Sequence, residues 1–515
     1  MWRNSAPVRT WRAWSIARRT GHVEGVGRLA RPVQWGRGVW WVASAKVPFW
    51  FGRIAFVRTQ LPNRKGTRMV DRRRRRPALA ITGDGTGVVN HAGARLLADL
   101  GDVVGLTSAL SVAMAPTKQR RRGHDRGEVL VDLAVAIADG SETISDLAVL
   151  RDQPALFGEV ASHPTVWRTL KAIDGDAVER IKTARAEARR RAWAAGTDPG
   201  FYVIDIDATL VGAHSEKEGA APTWKRGFGF HPLMAYLDAT GEALAGLLRP
   251  GNAGSGTALD HVAVLVDGLA QLPVDPAETE VIVRADSAGW SHGFVEGCRE
   301  RNVRFVIGHD LTVDIASILV DVPKRAWQPA ISADGAEWRE HAEVVEITDL
   351  VAGVFTGWPE GCRMIARREE PHPGAQLTFC DVDGHRFQVF ATDLPDADVA
   401  YLEALYRGRG RAERQICDSK ATGLMNLPSH SFAINQAWLQ LVLCAHDLLA
   451  WCRLLALDGD LATAEPKRLR YCLFHTAARI TTTARRTTCR LAKTWPWTRE
   501  LVTAFERVHR LPMRC

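Results

Sequence analysis

Between Phe201 and Leu210 the chain stops repeating every three to four residues and begins to alternate every two. Val203, Asp205, Asp207 and Thr209 fall on one side, and Ile204, Ile206, Ala208 and Leu210 on the other. Successive side chains of a strand point to opposite faces, so this stretch predicts a β-strand with one apolar face and one face carrying two carboxylates. Such a strand needs a sheet around it, and the following residues supply one. Residues 228–238 and 242–249 read as strands turning at Ala239-Thr240-Gly241, and 257–271 as a helix. Residues 280–285 read as a buried β-branched strand delivering Asp286, 291–301 as a helix and 303–308 as a strand. The order β-β-β-α-β-α-β predicts a mixed sheet covered by helices, an α/β fold.

The flanks differ. Residues 90–114 hold two short helical patterns parted by Gly101 and Gly105, and helical spacing returns at 128–138, 144–150, 164–173 and 176–197. A helical N-terminal domain over 77–198 is therefore expected, large enough for a helix-turn-helix-like DNA-binding module or for a plain packing domain. The sheet-forming core would occupy 199–310, pause for a β-rich insertion over 311–386 and resume over 387–460. That second part has a strand at 387–391, a helix from near Asp396 and a long amphipathic helix at 431–457, interrupted by Gln440, His446, Asp447 and Arg453. Residues 461–515 read as a basic C-terminal region, with basic helices over 466–510.

The net charge of +9 is misleading as a whole. Residues 1–76 hold 19 of the 67 Lys and Arg but only Glu24 and Asp71 as acids, so the remainder carries 48 basic against 56 acidic residues. Net charge alone then says little about nucleic acid. The asymmetry that survives is local: from Leu461 onward, 12 basic residues face only Glu465, Glu500 and Glu506. Residues 1–68 contain seven tryptophans and no sustained period, which reads as a segment outside the folded protein, with Met69 as its start, or as a basic arm. Nine cysteines without any C-x-x-C pair fit a reducing compartment, hence a cytoplasmic protein, and no zinc ribbon or disulfide framework. No run of about 18 uncharged apolar residues occurs, so no membrane span is expected. The glycine-rich Gly83-Asp84-Gly85-Thr86-Gly87 lacks the Lys-Ser/Thr of a phosphate loop.

The chemistry rests on three acids: Asp207 in the first strand, Asp286 at the end of the fourth and Glu413 in a helix beyond the insertion. In this strand order the first and fourth strands are neighbours, so their aspartates can face one another, and a helix across that edge can add the glutamate. Three hard oxygen ligands suit Mg²⁺ or Mn²⁺, and two such ions serve in-line phosphodiester displacement. Asp205 competes with Asp207, since both share one face; Asp207 is preferred for its place nearer the strand end. Tyr406, Arg409, Glu413 and Lys420 follow at i, i+3, i+7 and i+14, which on a continuous helix puts them on one stripe. Such a stripe is a poor core face and a good wall for phosphates, with the Tyr free for a hydrogen bond or a stacked base. His214 and His231 are candidates for a DNA channel, with a hydrogen-bonded structural role preferred for each.

The spacing Tyr406-x2-Arg409-x3-Glu413-x6-Lys420 resembles the Tyr-Arg-Glu-Lys signature of bacterial insertion-sequence transposases of the DDE type. The blocks 203–211, 214–220, 225–233, 249–256 and 283–290 resemble the surroundings of the first two aspartates in that group, and 133–158 resembles its actinobacterial members. The resemblance spans 77–515. It implies a ribonuclease-H-like core broken by a β-rich insertion, and two Mg²⁺ or Mn²⁺ ions bound by Asp207, Asp286 and Glu413. It also implies Tyr406, Arg409 and Lys420 on DNA phosphates, and cleavage at terminal inverted repeats with transfer of 3′ ends to target DNA. Double-stranded DNA and a second copy of the chain are the implied partners. Two other readings remain: a DNA-binding relic without catalysis, and a ribonuclease-H-like nuclease.

Overall fold

The computed structural model describes residues 79–512, apart from 119–122, 214–215, 255, 333–334, 354, 372–373, 375, 377–380, 383 and 396. Residues 1–76, His214, Asp396 and most of the basic run 118–122 lie outside the described residues.

The alternating stretch forms β1 (Tyr202–Ala208), followed by β2 (Leu233–Leu237), β3 (Ala243–Leu247), β4 (Val281–Ala285) and β5 (Val303–His309). β1 pairs antiparallel with β2 and parallel with β4, and β4 pairs parallel with β5. Parallel neighbours need a crossover, and helices Ala258–Leu269 and His292–Arg299 provide two. Both cover the face formed by Ile204, Ile206, Val283, Ala285 and Phe305, burying Val264, Leu265, Phe294 and Val295 against it. The stretch 228–238 is not one strand. Phe228–Phe230 turns away into a small sheet with Val211–Gly212 and Ala221–Pro222, because Pro232, which has no N–H, interrupts the ladder before β2.

The region expected as a β-rich insertion begins with a helix, Val313–Asp321, and continues the same sheet. Its strands are β6 (Gln328–Ile331), β7 (Trp338–Glu346), β8 (Arg363–Glu369) and β9 (Asp381–Val382), followed by β10 (His385–Thr392). The strand order is β6-β7-β8-β10-β5-β4-β1-β2-β3, with β9 on β10. β10 joins the halves by pairing antiparallel with both β8 and β5.

Helices Arg95–Val103, Leu106–Met114, Arg126–Asp139 and Gly175–Ala192 form where the helical spacing predicts them, and Gly105 turns between the first two at φ 74°. Asp125 and Asp174 cap the last two by accepting from backbone N–H groups of the first turn. They do not build a core of their own. Leu96, Leu130, Ile137 and Ile181 share one core with Trp438, Leu441 and Leu448 of helix Phe432–Ala456 and with Leu501 and Val508 of helix Thr498–Arg510. Helix Phe432–Ala456 is buried nearly all round rather than amphipathic; it is long and apolar enough to cross a bilayer, and 83% of its apolar window is buried inside the protein.

The polar residues on that helix are internal partners. Asp447 accepts from Arg185 and Arg189 at 2.8 Å each, and Glu242, in the β2–β3 turn, accepts from Arg189 at 3.0 Å. The indoles of Trp193 and Trp451 complete Glu242 at 3.1 and 2.7 Å, and the Ala243 N–H donates to Asp447 at 3.0 Å. None of the four charged side chains is more than 1% exposed. Two arginines against two carboxylates tie the helical layer to the sheet.

The basic helices expected over 466–510 form only in part. Residues Ala478–Thr483 and Arg486–Leu491 make an antiparallel hairpin, with Val88–Val89 as a third strand, before the helix Thr498–Arg510. The run of threonines explains the difference, since β-branched side chains lose rotamer freedom in a helix and fit a pleated surface.

Candidate active site

The ladder between β1 and β4 sets the two aspartates. Asp205 pairs with Arg284 and Ile206 with Ala285, so Asp207 and Asp286 stand one step beyond the last paired rung, on adjacent chains. Period two puts Val203, Asp205 and Asp207 on the face opposite the crossover helices. Asp205 is engaged there: Arg284 donates to its two oxygens at 2.7 and 2.6 Å, and neither side chain is more than 1% exposed. Asp207 is less enclosed, at 14% side-chain exposure, and accepts from the Ala208 N–H at 2.8 Å and from Arg409 at 3.3 Å. Asp286 caps the turn Ser287–Gly289 by accepting from the Ala288 N–H at 3.1 Å.

The third acid arrives over the same face. Helix Val399–Arg407, capped by Asp398, buries Leu402, Leu405 and Tyr406 against Val203, Ile282, Val306 and Phe390. The stripe lies on helical backbone that changes pitch: Gly408–Gly410 tightens into a 3₁₀ turn, Arg411–Ser419 resumes the α-helix, and the backbone leaves the helical region only at Thr422 and Gly423, past Lys420. Arg284 lies against this turn: a Cβ at Gly408 would collide with its guanidinium, so glycine is needed there, and that guanidinium also donates to the Leu405 carbonyl at 2.7 Å. Beyond the turn, Arg411 donates to Asp238 at 2.6 Å, and Asp238 lies 3.1 Å from Arg284. A chain of charges, Asp205, Arg284, Asp238 and Arg411, thus fixes the helix that bears Glu413.

The side chains of the signature are distributed unequally. Glu413 is exposed and Lys420 half-buried, two turns further along. Tyr406 is 8% exposed, and its ring stacks on Phe390 at 4.7 Å, so the expected stacking on a base is not open to it. Its hydroxyl reaches the site instead: it feels the Arg409 charge and sits where a side chain at position 308 would have to be, which only glycine permits.

The electrostatics tie the acids together. Burial pushes the Asp207 carboxyl up to about 6; Asp286 and Glu413 push it further, and the Arg409 charge opposes them. Burial also raises Asp205 to about 6 against the pull of Arg284. His231 and His261 are held below the usual histidine range by burial, with Asp286 pulling the other way. His231 meets the Ala253 carbonyl at 3.3 Å and is 6% exposed, which makes it a wall of the site rather than a free channel residue.

The donor set of Asp207, Asp286 and Glu413 is three hard oxygens with one guanidinium against them, which fits Mg²⁺ or Mn²⁺. It is an open arrangement. Among the described residues only His91, Asp139 and His475 bring three ligand atoms within 4.8 Å of one another. That second group closes on itself by hydrogen bonds: His91 Nδ1 lies 2.5 Å from Asp139, and His475 Nε2 meets the Asp139 carbonyl at 2.9 Å. Neighbouring ligand atoms around a zinc-sized ion stand roughly 3 Å apart, more than this contact leaves. It acts as a staple between three segments.

Arg284, Asp238 and Arg411 are what sequence reasoning missed. One signal was present: a charged residue in the middle of the buried run 281–285 demands a buried partner, and the register supplies Asp205.

No curated protein sequence matches the chain. A solved structure of the piggyBac transposase synaptic complex with hairpin DNA is similar over 74% of this chain and 80% of that one, at 9% identity and a TM-score of 0.37. A family model described as transposase DDE domain group 1 matches residues 71–513, and the chain belongs to that family of DDE transposases.

Proposed function

We propose that this chain cuts DNA at the terminal inverted repeats of a bacterial insertion sequence and joins the freed 3′ ends to target DNA. The observation that carries this reading is the placement of Asp207 and Asp286 side by side, one step past the last paired rung of β1 and β4, with the helix that bears Glu413 packed against β1. In this reading the core is ribonuclease-H-like, and Asp207, Asp286 and Glu413 hold one or two Mg²⁺ or Mn²⁺ ions, as DDE transposases generally use divalent metals. When bound, the metal supplies activation of a water or 3′ hydroxyl and stabilisation of the leaving oxygen.

The chain's own residues do the rest. Asp205, neutralised by Arg284, holds β1 to β4 and keeps Asp207 level with Asp286. Arg409 lends its charge to Asp207 while the acids stand alone and turns to a phosphate oxygen when DNA arrives. The Tyr406 hydroxyl, fixed by its stacked ring, orients that guanidinium, and Lys420 contacts a phosphate further along. With Tyr406, Arg409, Glu413 and Lys420 in these roles, the chain carries the Tyr-Arg-Glu-Lys signature and groups with actinobacterial members. It acts in the cytoplasm on double-stranded DNA, as a homodimer that pairs two element ends; light scattering of the DNA complex should return two chains per end pair, and one chain would refute the pairing.

The test is cleavage of labelled linear DNA carrying the element's terminal repeat, with Mg²⁺ or Mn²⁺. The chain should nick and join ends while Glu413→Gln binds without cutting. Cutting without regard to the repeat and without joining would favour a ribonuclease-H-like nuclease, and binding without cutting a relic.

A further inference from the structure

Residues 466–499 contain nine Lys and Arg and no acid, and the hairpin Ala478–Leu491 projects its share of them in an ordered way. Its register pairs Ala478 with Leu491, Ile480 with Cys489 and Thr482 with Thr487 on one face, and Arg479 with Arg490, Thr481 with Thr488 and Thr483 with Arg486 on the other. The first face sits on the body: Ala478 is buried beside Ala92 and Leu156, with Ile480 and Leu491 packed against them. The second is free. Arg479, Arg485, Arg486 and Arg490 are all exposed, and among the described residues none has an acidic partner.

Two features of this face are unfavourable for the protein alone. Arg479 and Arg490 stand directly opposite one another, and like charges in cross-strand pairs destabilise a sheet. The two-residue turn is built from Ala484 and Arg485 at φ 48° and 69°, the left-handed region where Asn-Gly would be at ease. The hairpin thus retains repulsion along its length and strain at its tip, and both serve to present guanidinium groups between hydroxyl-bearing threonines. Arginines and threonines of this kind are what phosphate oxygens accept from.

The root of the hairpin is rigid. His91, next to its third strand, and His475, just before its first, are both bonded to Asp139 at the end of helix Arg126–Asp139. Arg470 donates to the Ala138 carbonyl at 2.9 Å and to the Ala421 carbonyl at 2.9 Å, inside the π turn that begins with Lys420. The segment leading into the hairpin is therefore tied to helix Arg126–Asp139 and to the residue just after Lys420.

We infer that the hairpin Ala478–Leu491 is a duplex-binding ribbon, in which Arg479, Arg485, Arg486 and Arg490 contact DNA phosphates and hold the double helix in fixed register with the acid site. The inference rests on the transposase reading for its partner, duplex DNA. A twisted two-stranded ribbon of this width also fits the major groove.

The test uses the full chain and a labelled random-sequence duplex of about 40 base pairs, with affinity followed across salt concentration. Each phosphate contact contributes about 0.9 to the slope of log K against log salt. Replacing all four arginines by Gln should lower the slope by about 3 to 4, and their replacement by Lys should restore it. The single changes Arg485→Gln and Arg490→Gln, which leave the buried face of the ribbon untouched, should each remove about 0.9. If the unaltered chain binds the duplex and these variants keep its slope, the ribbon assignment fails while the transposase reading stands. If the slope falls only with a single strand of the same length, duplex is the wrong partner. If the unaltered chain binds no duplex, both fail together.

Discussion

Asp447 and Glu242, where the helices meet the sheet, and Asp207, Asp286 and Glu413, at the ends of β1 and β4 and on the helix above them, are both gatherings of carboxylates on one fold. They differ in what neutralises them. The first pair is matched one for one by Arg185 and Arg189, sealed by two indoles and closed to water. The second group has three acids and a single guanidinium at 3.3 Å from one of them. Complete pairing makes a joint; a surplus of negative charge left in a half-open place makes the receptor for cations that the proposed function requires. A third arrangement lies between them, Asp205 with Arg284, where the pair is complete and its work is to aim the receptor.

The contrast can be broken first at its functional end. Glu413→Gln or Asp286→Asn should lower strand cleavage by about 10³-fold or more, the loss of several kcal/mol of charge stabilisation, with DNA affinity nearly unchanged. Gel assays of nicking and of binding on the same substrate would check this; equal losses in both would place the acids in the fold rather than the chemistry. At the joint the opposite is expected. Asp447→Asn should cost about 3 to 5 kcal/mol in urea denaturation, because it leaves buried Arg185 without a carboxylate and Arg189 with Glu242 alone.

Asp207→Asn should stabilise. Its folded-state pKa of about 6 lies above the ordinary carboxylate value, so the ionised group costs stability above about pH 6 and costs nothing once pH falls below about 4. In chelator at pH 8 the variant should gain up to about 3 kcal/mol, fading as the pH falls towards 4, while cleavage is lost. A variant that melts lower at pH 8 would show that Arg409 depends on Asp207 more than the acids repel one another. Gly408→Ala should be milder, about 1 to 3 kcal/mol, since the added methyl displaces Arg284. It should also slow cleavage without touching any group that meets DNA.

The smallest effect concerns the staple at the ribbon root. The Asp139 side chain raises the pKa of His475. That contribution to stability is complete below the usual histidine pKa, near 6.5, and is lost as pH rises through the higher folded value. His475→Gln should flatten the pH dependence of melting between about 6 and 8; an unchanged profile would remove His475 from the staple.

The two aspartates were legible because a period of two and a strand end are local facts: Asp207 and Asp286 each needed only a few neighbours to be placed. Glu413 was legible only through its spacing from Tyr406, Arg409 and Lys420, and the helix behind that spacing tightens to 3₁₀ at Gly408–Gly410. Gly408 and Gly410 mark that spot locally by their low helix propensity, but the reason for glycine at 408, the Arg284 guanidinium packed against it, comes from a distant strand. Nor could the joint be read, because Arg185 and Asp447 are 262 positions apart and each looks like a surface residue on its own helix. The hairpin is hidden for a different reason: its arginines suit a basic helix as well as a strand, and only its run of β-branched threonines decides the backbone.

Val88 and Arg479 are paired in one sheet, although nearly the whole described chain separates them. During synthesis the first strand of that sheet leaves the ribosome long before its partners, and it waits unpaired until Arg479 and Leu491 have emerged. Contacts across so long a loop close late. The ribbon thus becomes whole late, with only helix Thr498–Arg510 still to follow, and a chain still being translated already has its acids but lacks a finished ribbon.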